Sequence, residues 1–77
     1  MDFQRVLTNI ARAIVDDPDR VNVAMTEEGD DITLVLTVAE KDTGMVIGHH
    51  GKIAKAIRSL MKAAGTTCGK RVIVEIQ

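Results

Sequence analysis

The sequence predicts a small α+β domain with two layers, in which a three-stranded mixed sheet is covered on one face by three helices. Two observations lead to this class: apolar residues recur at helical spacing in some segments and alternate with polar ones in others. The elements follow the order helix, strand, strand, helix, helix, strand. Because helices join the second strand to the third, these two strands are expected to lie parallel. We expect one domain over residues 1–77.

The first helix is predicted from a single apolar stripe between Phe3 and Ile14. Asp2 is a suitable N-cap, because its carboxylate can accept hydrogen bonds from the free N–H groups of the first turn. Residues 16–19 contain Pro18, the only proline, and are expected to end the helix.

Two strands are expected to follow as a hairpin. Residues 20–26 alternate weakly, whereas residues 32–39 alternate clearly and are rich in β-branched side chains. Residues 27–31 consist of acidic residues and glycine, which predicts the turn between them. Residues 71–77 alternate in the same way and predict the last strand.

The region between the second and third strands predicts two helices. Residues 41–47 are expected to form one or two turns, capped by Asp42 or Thr43. A longer helix is expected over residues 52–64, with Gly65 as its C-terminal stop. One apolar stripe of this helix is expected to face the core: Ile53, Ala56, Ile57, Leu60, Met61 and Ala64.

Composition excludes several classes of function. Phe3 is the only aromatic residue, which excludes base stacking of the kind used by RNA-recognition motifs and cold-shock domains. The single Cys68 excludes an internal disulfide, and the two histidines have no third ligand at metal-binding spacing, so we expect no cofactor or metal.

The sequence shows no nucleophile–base pair, so no enzyme activity is expected. Without a secretory signal or an apolar segment of bilayer length, a cytoplasmic protein without membrane association is expected.

Charge is distributed unevenly along the chain, although the formal net charge is only −1. Residues 1–42 carry ten acidic and four basic residues, whereas residues 43–77 carry six basic residues and one acidic residue. This asymmetry predicts a basic working face on an acidic body. An ordinary solvated helix face with outward lysines accounts for the same counts.

Two glycines three residues apart, Gly48 and Gly51, lie between the short helix and the long basic one. The absence of Cβ atoms permits close approach by another chain, and the following helix presents free N–H groups toward the glycines. The spacing does not match a Walker P-loop, which requires glycine at position 46 and a hydroxyl residue at position 53. A Rossmann fingerprint does not match either. A loop that holds a phosphodiester and a plain turn between helices are the two interpretations left.

Residues 44–58 resemble the core of a KH domain, and the extra helix and strand before them resemble the type II KH fold. Over its whole length the chain resembles the KhpA family, which are small bacterial single-KH proteins. This resemblance implies non-catalytic binding of single-stranded RNA in the cytoplasm, with a GXXG loop that clamps about four nucleotides. It assigns the loop, the phosphate contacts and the apolar floor of the groove to Ile47, Gly48, His49, His50, Gly51, Lys52, Ile53, Lys55 and Arg58. One strand and residues 27–31 are expected to contribute part of the opposite wall of the groove.

The resemblance also implies partners. Members of the KhpA family form homodimers and pair with KhpB, also called Jag or EloR, a larger multidomain RNA-binding protein with its own KH domain. That pair is linked to post-transcriptional regulation, in an RNA chaperone-like role, and to cell elongation, division and shape. The alternative is a protein-interaction or dimerisation subunit whose partner provides most of the RNA contact.

His49 and His50 occupy loop positions where the family commonly has arginine or lysine. Because the reference pKa of histidine is about 6.5, both imidazoles are expected to be mostly neutral at pH 7. We therefore hypothesise a clamp that is weaker at neutral pH and tighter on acidification. The alternative is that both are exposed loop residues that contact ligands only through their rings.

Overall fold

The computed structural model describes the backbone of residues 1–77 and the side chains of residues 1–48 and 51–77. Strand β2 is central in the sheet order β1-β2-β3, with β1 antiparallel and β3 parallel to it. The α+β class, the mixed three-stranded sheet and the order of elements are confirmed. The elements are α1 (Phe3–Ile14), a 3₁₀ turn (Pro18–Arg20), β1 (Asn22–Glu28), β2 (Asp31–Thr37), α2 (Glu40–Thr67) and β3 (Arg71–Ile76).

Helix α1 begins and ends as predicted. The Asp2 carboxylate accepts a hydrogen bond from the Arg5 N–H at 3.1 Å, which caps the first turn. The helix ends at Ile14, before the turn that contains Pro18. Its core-facing side chains are Phe3, Leu7 and Ala11.

The hairpin has a shorter turn than the sequence indicated. Glu28 pairs with Asp31 as the last rung of the β1–β2 ladder, which leaves only Gly29 and Asp30 between the strands. Gly29 has φ +60°, a conformation that glycine adopts without steric penalty. The alternation of β2 is confirmed, because one side of the strand is buried in full: Ile32, Leu34 and Leu36.

The segment predicted as two helices is α2, one helical span of 28 residues. A straight helix of that length would extend about 42 Å. The whole chain measures only 34 Å along its longest axis, so α2 bends. Gly51 has φ +70°, outside the right-handed helical region, and marks the bend. We call residues 40–48 the first arm and residues 52–67 the second arm.

The predicted C-terminal stop at Gly65 is wrong. The second arm continues past Gly65, and the left-handed residue at its end is Gly69, with φ +71°. The Lys70 N–H donates to the Gly65 C=O at 2.8 Å and the Gly69 N–H to the Thr66 C=O at 3.2 Å, which is a Schellman motif. Gly65 is required for packing instead, because a Cβ there would lie 2.6 Å from Val72 Cγ2.

The apolar stripe predicted for the second arm divides into two parts. Ile57 and Met61 are buried, whereas Leu60 is 53% exposed and Ala56 is exposed, so the prediction is wrong for these two. The reason is the placement of the helices: α1 packs mostly on β1 and α2 mostly on β3, which leaves a groove between them. Within the described residues, no helix carries an apolar stretch that would suffice to cross a bilayer.

One carboxylate lies in the core. Asp42 is 1% exposed and accepts hydrogen bonds from the backbone N–H groups of Asp16 and Asp17, both at 3.1 Å. It does not cap its own helix: the N-cap is Ala39, which has no side-chain bond to the helix. Asp42 therefore fastens the segment after α1 to the first arm of α2.

Candidate nucleic-acid interface

The glycine-containing bend of α2 is open to solvent on the side where a Cβ would project. Apart from its chain neighbours and the adjacent helix backbone, a Cβ built at Gly44, Gly48 or Gly51 would meet no heavy atom of the described residues within 4 Å. Gly51 needs glycine for its backbone conformation, but Gly44 and Gly48 do not have a positive φ. A helical glycine destabilises a helix by about 1 kcal/mol relative to alanine. Because internal packing requires neither glycine, both are consistent with close approach from outside.

His49 and His50 lie between the two loop glycines in sequence. Their side chains lie outside the described residues, so the pH-dependent clamp stays a prediction. Beside them on the first arm, Ile47 is 46% exposed. An aliphatic side chain so placed offers an apolar contact to a ligand at the bend.

The polar flank of the second arm carries exposed basic side chains. Across the described part of the chain, no carboxylate lies within 4.0 Å of any of them. An exposed cation without an ion-pair partner is available to a phosphate. We call this set the basic flank: Lys52, Lys55, Arg58 and Lys62.

The other two basic residues of the C-terminal half are engaged elsewhere. Lys70 Nζ lies 3.6 Å from a carboxylate oxygen of Glu27 and 3.4 Å from one of Asp30. Arg71 Nε lies 3.4 Å from Asp31. The charge excess read from the sequence is therefore concentrated on α2.

Residues 27–31 do not form a wall of the groove at the bend, and that prediction is wrong. Their ion pairs with Lys70 and Arg71 place them beside the C-terminal end of the second arm. That arm separates them from Gly51 by about 24 Å of helix. Because β3 is parallel to β2, the hairpin turn lies at the end of the sheet where β3 begins.

Arg58 connects the basic flank to the sheet. Its Nε donates a hydrogen bond to the Val74 C=O at 3.4 Å. Val74 belongs to β3, the outer strand next to α2. The described structure therefore offers the edge of β3 as the wall that faces the basic flank.

Ile53, predicted as part of the groove floor, lies on the other flank of α2. It lines an apolar groove of about 260 Å³ between the two helices. Five residues separate it from Arg58, which corresponds to about 140° around a helix. The structure thus brings Ile53 to the α1 side, and its role in RNA binding stays a prediction. The groove is lined by Ile10, Ile14, Ile53, Ala56, Ile57 and Leu60.

Another cavity lies away from the bend. It has a volume of about 560 Å³ and is bounded by the start of α1, β1 and the connection between α2 and β3, including Phe3, Met25 and Cys68. Among the described residues, no three histidine, cysteine or acidic side chains come close enough to hold a metal ion.

Known proteins resemble this chain over nearly its whole length. A family model described as "KhpA/KhpB, KH domain" matches residues 4–76. A protein of Clostridium acetobutylicum named "RNA-binding protein KhpA" is 48% identical over 74 residues, which cover 96% of this chain and 99% of the relative. Proteins of the same name from Caldanaerobacter subterraneus and Bacillus subtilis are 49% and 42% identical, covering 92% and 96% of this chain and 95% and 91% of their own lengths.

Proposed function

We propose that this chain, which belongs to the KhpA/KhpB family of KH domains, binds single-stranded RNA at the bend of α2. The observation that carries the proposal is the basic flank, whose side chains have no acidic partner within 4.0 Å among the described residues and which begins next to Gly51. The relatives' name, RNA-binding protein, supports the same ligand. The action is binding without catalysis.

In the proposed mechanism, phosphates lie against the bend and the basic flank. Exposed Lys52 and Lys55, which lie within four residues of Gly51, supply the positive charge that attracts the phosphates. Gly48 allows the sugar–phosphate backbone to approach, and exposed Ile47 contacts a base. A KH loop of this kind holds about four nucleotides.

The proposal extends to the setting of the protein. A cytoplasmic location, post-transcriptional regulation of an RNA chaperone-like kind and pairing with KhpB, a larger KH-containing protein, follow from the family resemblance. One module that binds about four nucleotides gives modest affinity. Linking it to a second RNA-binding module raises the effective affinity, which is the physical reason to expect a partner.

A second candidate function is self-association through the apolar groove between α1 and α2. Leu60 is 53% exposed and Ile14 is 39% exposed, and both line the groove. A protruding apolar side chain next to an apolar groove is self-complementary about a two-fold axis. The groove lies on the opposite flank from Arg58, so a homodimer leaves the basic flank open.

The RNA proposal is tested by fluorescence anisotropy with a short, labelled, unstructured RNA. The wild type is compared with a His49→Asp/His50→Asp variant, and the matched control is Asn9→Asp/Thr26→Glu, which adds two negative charges at exposed positions away from α2. Circular dichroism checks that each variant folds. We expect saturable binding by the wild type and the control and loss of binding in the loop variant. Equal loss in both variants, or no binding by the wild type, would contradict the proposal.

The same titration at about pH 6 and pH 7.5 tests the histidine clamp, because these values bracket the reference histidine pKa. Tighter binding at the lower pH is expected, and equal affinities at the two pH values would exclude the clamp.

Sedimentation of Leu60→Asp tests self-association. A dimer in the wild type and a monomer with intact RNA binding in the variant are expected, whereas a monomeric wild type would exclude this second function.

A further inference from the structure

The free edge of β3 lies beside the basic flank and presents backbone groups to whatever occupies the space between them. The Gln77 N–H donates to the Leu36 C=O at 2.9 Å, and Leu36 is paired with Ile76 in the register. The backbone groups of Gln77 therefore face β2. Since this direction alternates along a strand, the N–H and C=O groups of alternate residues face the free edge. These residues are Val72, Val74 and Ile76.

Arg58 modifies this edge at one position. Its Nε bond occupies one lone pair of the Val74 C=O and holds the guanidinium beside the strand. The remaining guanidinium N–H groups are donors, and arginine has no acceptor. Arg58 is exposed, and no carboxylate of the described chain lies within 4.0 Å of it. A base that reaches this position therefore meets N–H donors and a positive charge.

We propose that Arg58 is a specificity-determining residue that reads a base and disfavours adenine, an inference that rests on the proposed RNA-binding function. Cytosine presents the adjacent acceptors O2 and N3, and guanine presents O6 and N7, so either pairs with two parallel guanidinium donors. Adenine places its N6 amino donor next to an acceptor on both accessible edges. That amine would face the guanidinium and compete with it for the Val74 carbonyl. Uracil has an N–H donor between its two carbonyls. Its affinity is therefore expected to lie between that of cytosine or guanine and that of adenine.

The proposal is tested by competition among RNA hexamers that are uracil except for two central positions. The central pair is cytosine, guanine or adenine. A bidentate arginine contact discriminates between bases by about fivefold or more. We expect the wild type to bind the cytosine and guanine hexamers at least about fivefold more tightly than the adenine hexamer.

Two variants separate base reading from charge. Arg58→Lys keeps the positive charge but lacks the planar fork, so it is expected to bind all three hexamers within about twofold of one another. Lys62→Gln removes a charge from the same flank and is expected to weaken all three equally while the wild-type ranking is retained.

The outcomes distinguish the two proposals. If the wild type binds no hexamer, the proposed function itself fails. If it binds all three equally or prefers adenine, or if Arg58→Lys retains the wild-type ranking, RNA binding stands and the role of Arg58 is refuted. If Arg58→Lys does not fold, equal binding of the three hexamers by the wild type, or a wild-type preference for adenine, still refutes the role of Arg58.

Discussion

Removal of the Asp42 carboxylate is expected to destabilise the domain more than removal of any exposed acidic residue. Asp42 is 1% exposed and accepts two backbone hydrogen bonds at 3.1 Å. A hydrogen bond to a charged group contributes about 1.5–3 kcal/mol. The two donors, Asp16 and Asp17, are only partly shielded, so water recovers some of this energy. We therefore take the lower end and expect a loss of about 3 kcal/mol for Asp42→Ala.

The matched variants refine this value. Asp42→Asn keeps one side-chain oxygen and turns an amide donor toward the other N–H, so a loss of about 1.5–2 kcal/mol is expected. Glu40→Gln changes an exposed acid in the same first turn and removes only an interaction with the helix dipole, about 0.3–1 kcal/mol.

Urea denaturation, monitored by circular dichroism, measures these losses in the free energy of unfolding. A domain of this length has a total stability of about 4–12 kcal/mol, so a loss of 3 kcal/mol is a large fraction. With a slope of about 1 kcal/mol per molar urea, it moves the midpoint by about 3 M. The reasoning would be refuted if Asp42→Ala lost less than about 1 kcal/mol, or no more than Glu40→Gln.

Three further predictions concern the glycines and the charges. Gly65→Ala is expected to destabilise the domain by about 1–3 kcal/mol, because the new Cβ would overlap Val72. Gly44→Ala is expected to stabilise the domain by up to about 1 kcal/mol. Equal urea midpoints for the two variants would contradict this prediction. Gly51→Ala and Gly29→Ala should each destabilise by about 1–2 kcal/mol because of their positive φ. Only Gly51→Ala should also weaken RNA binding in anisotropy, and a similar effect of Gly29→Ala would exclude a special role of the bend. Log affinity against log salt should have a slope of about −2 to −3, as expected for three or four phosphate contacts with a single strand; a flat dependence would exclude electrostatic binding.

The parts of the fold that follow from local pattern were predictable from the sequence. The alternation in β2 and β3 and the capping of α1 by Asp2 depend on neighbours in the chain, and all three are confirmed. The parallel pairing of β2 and β3 followed from connectivity, because a helical crossover returns the chain in the same direction.

The parts that depend on contacts between distant residues were not predictable. Gly65 has the sequence appearance of a helix stop, but its cause is the approach of Val72. Leu60 has the spacing of a core residue, and only the placement of α1 and α2 leaves it exposed. The sequence position of Asp42 predicted a helix N-cap. Nothing in the neighbouring sequence indicates that the backbone N–H groups of residues 16 and 17 are its hydrogen-bond donors.

For the candidate site the sequence predicted a position in the chain, and its use in RNA binding stays a prediction. The glycine spacing and the basic residues after it indicated where a phosphate backbone would be held. Which basic residues of the C-terminal half lack an acidic partner depends on tertiary ion pairs, and these pairs engage Lys70 and Arg71 with the hairpin turn. The contact between Arg58 and Val74 joins a helix to a strand that follows it in the chain, and no short sequence motif encodes it.

The central claim, that RNA lies at the bend of α2 between the basic flank and the edge of β3, is tested most directly by NMR. The ¹⁵N-labelled protein is titrated with a short, unstructured RNA, and the amide shift changes are mapped. We expect the largest changes in residues 48–58 and in β3, with little change in residues 27–31. Changes centred on α1 or on the hairpin turn, or no changes at RNA concentrations that saturate the anisotropy signal, would contradict the claim.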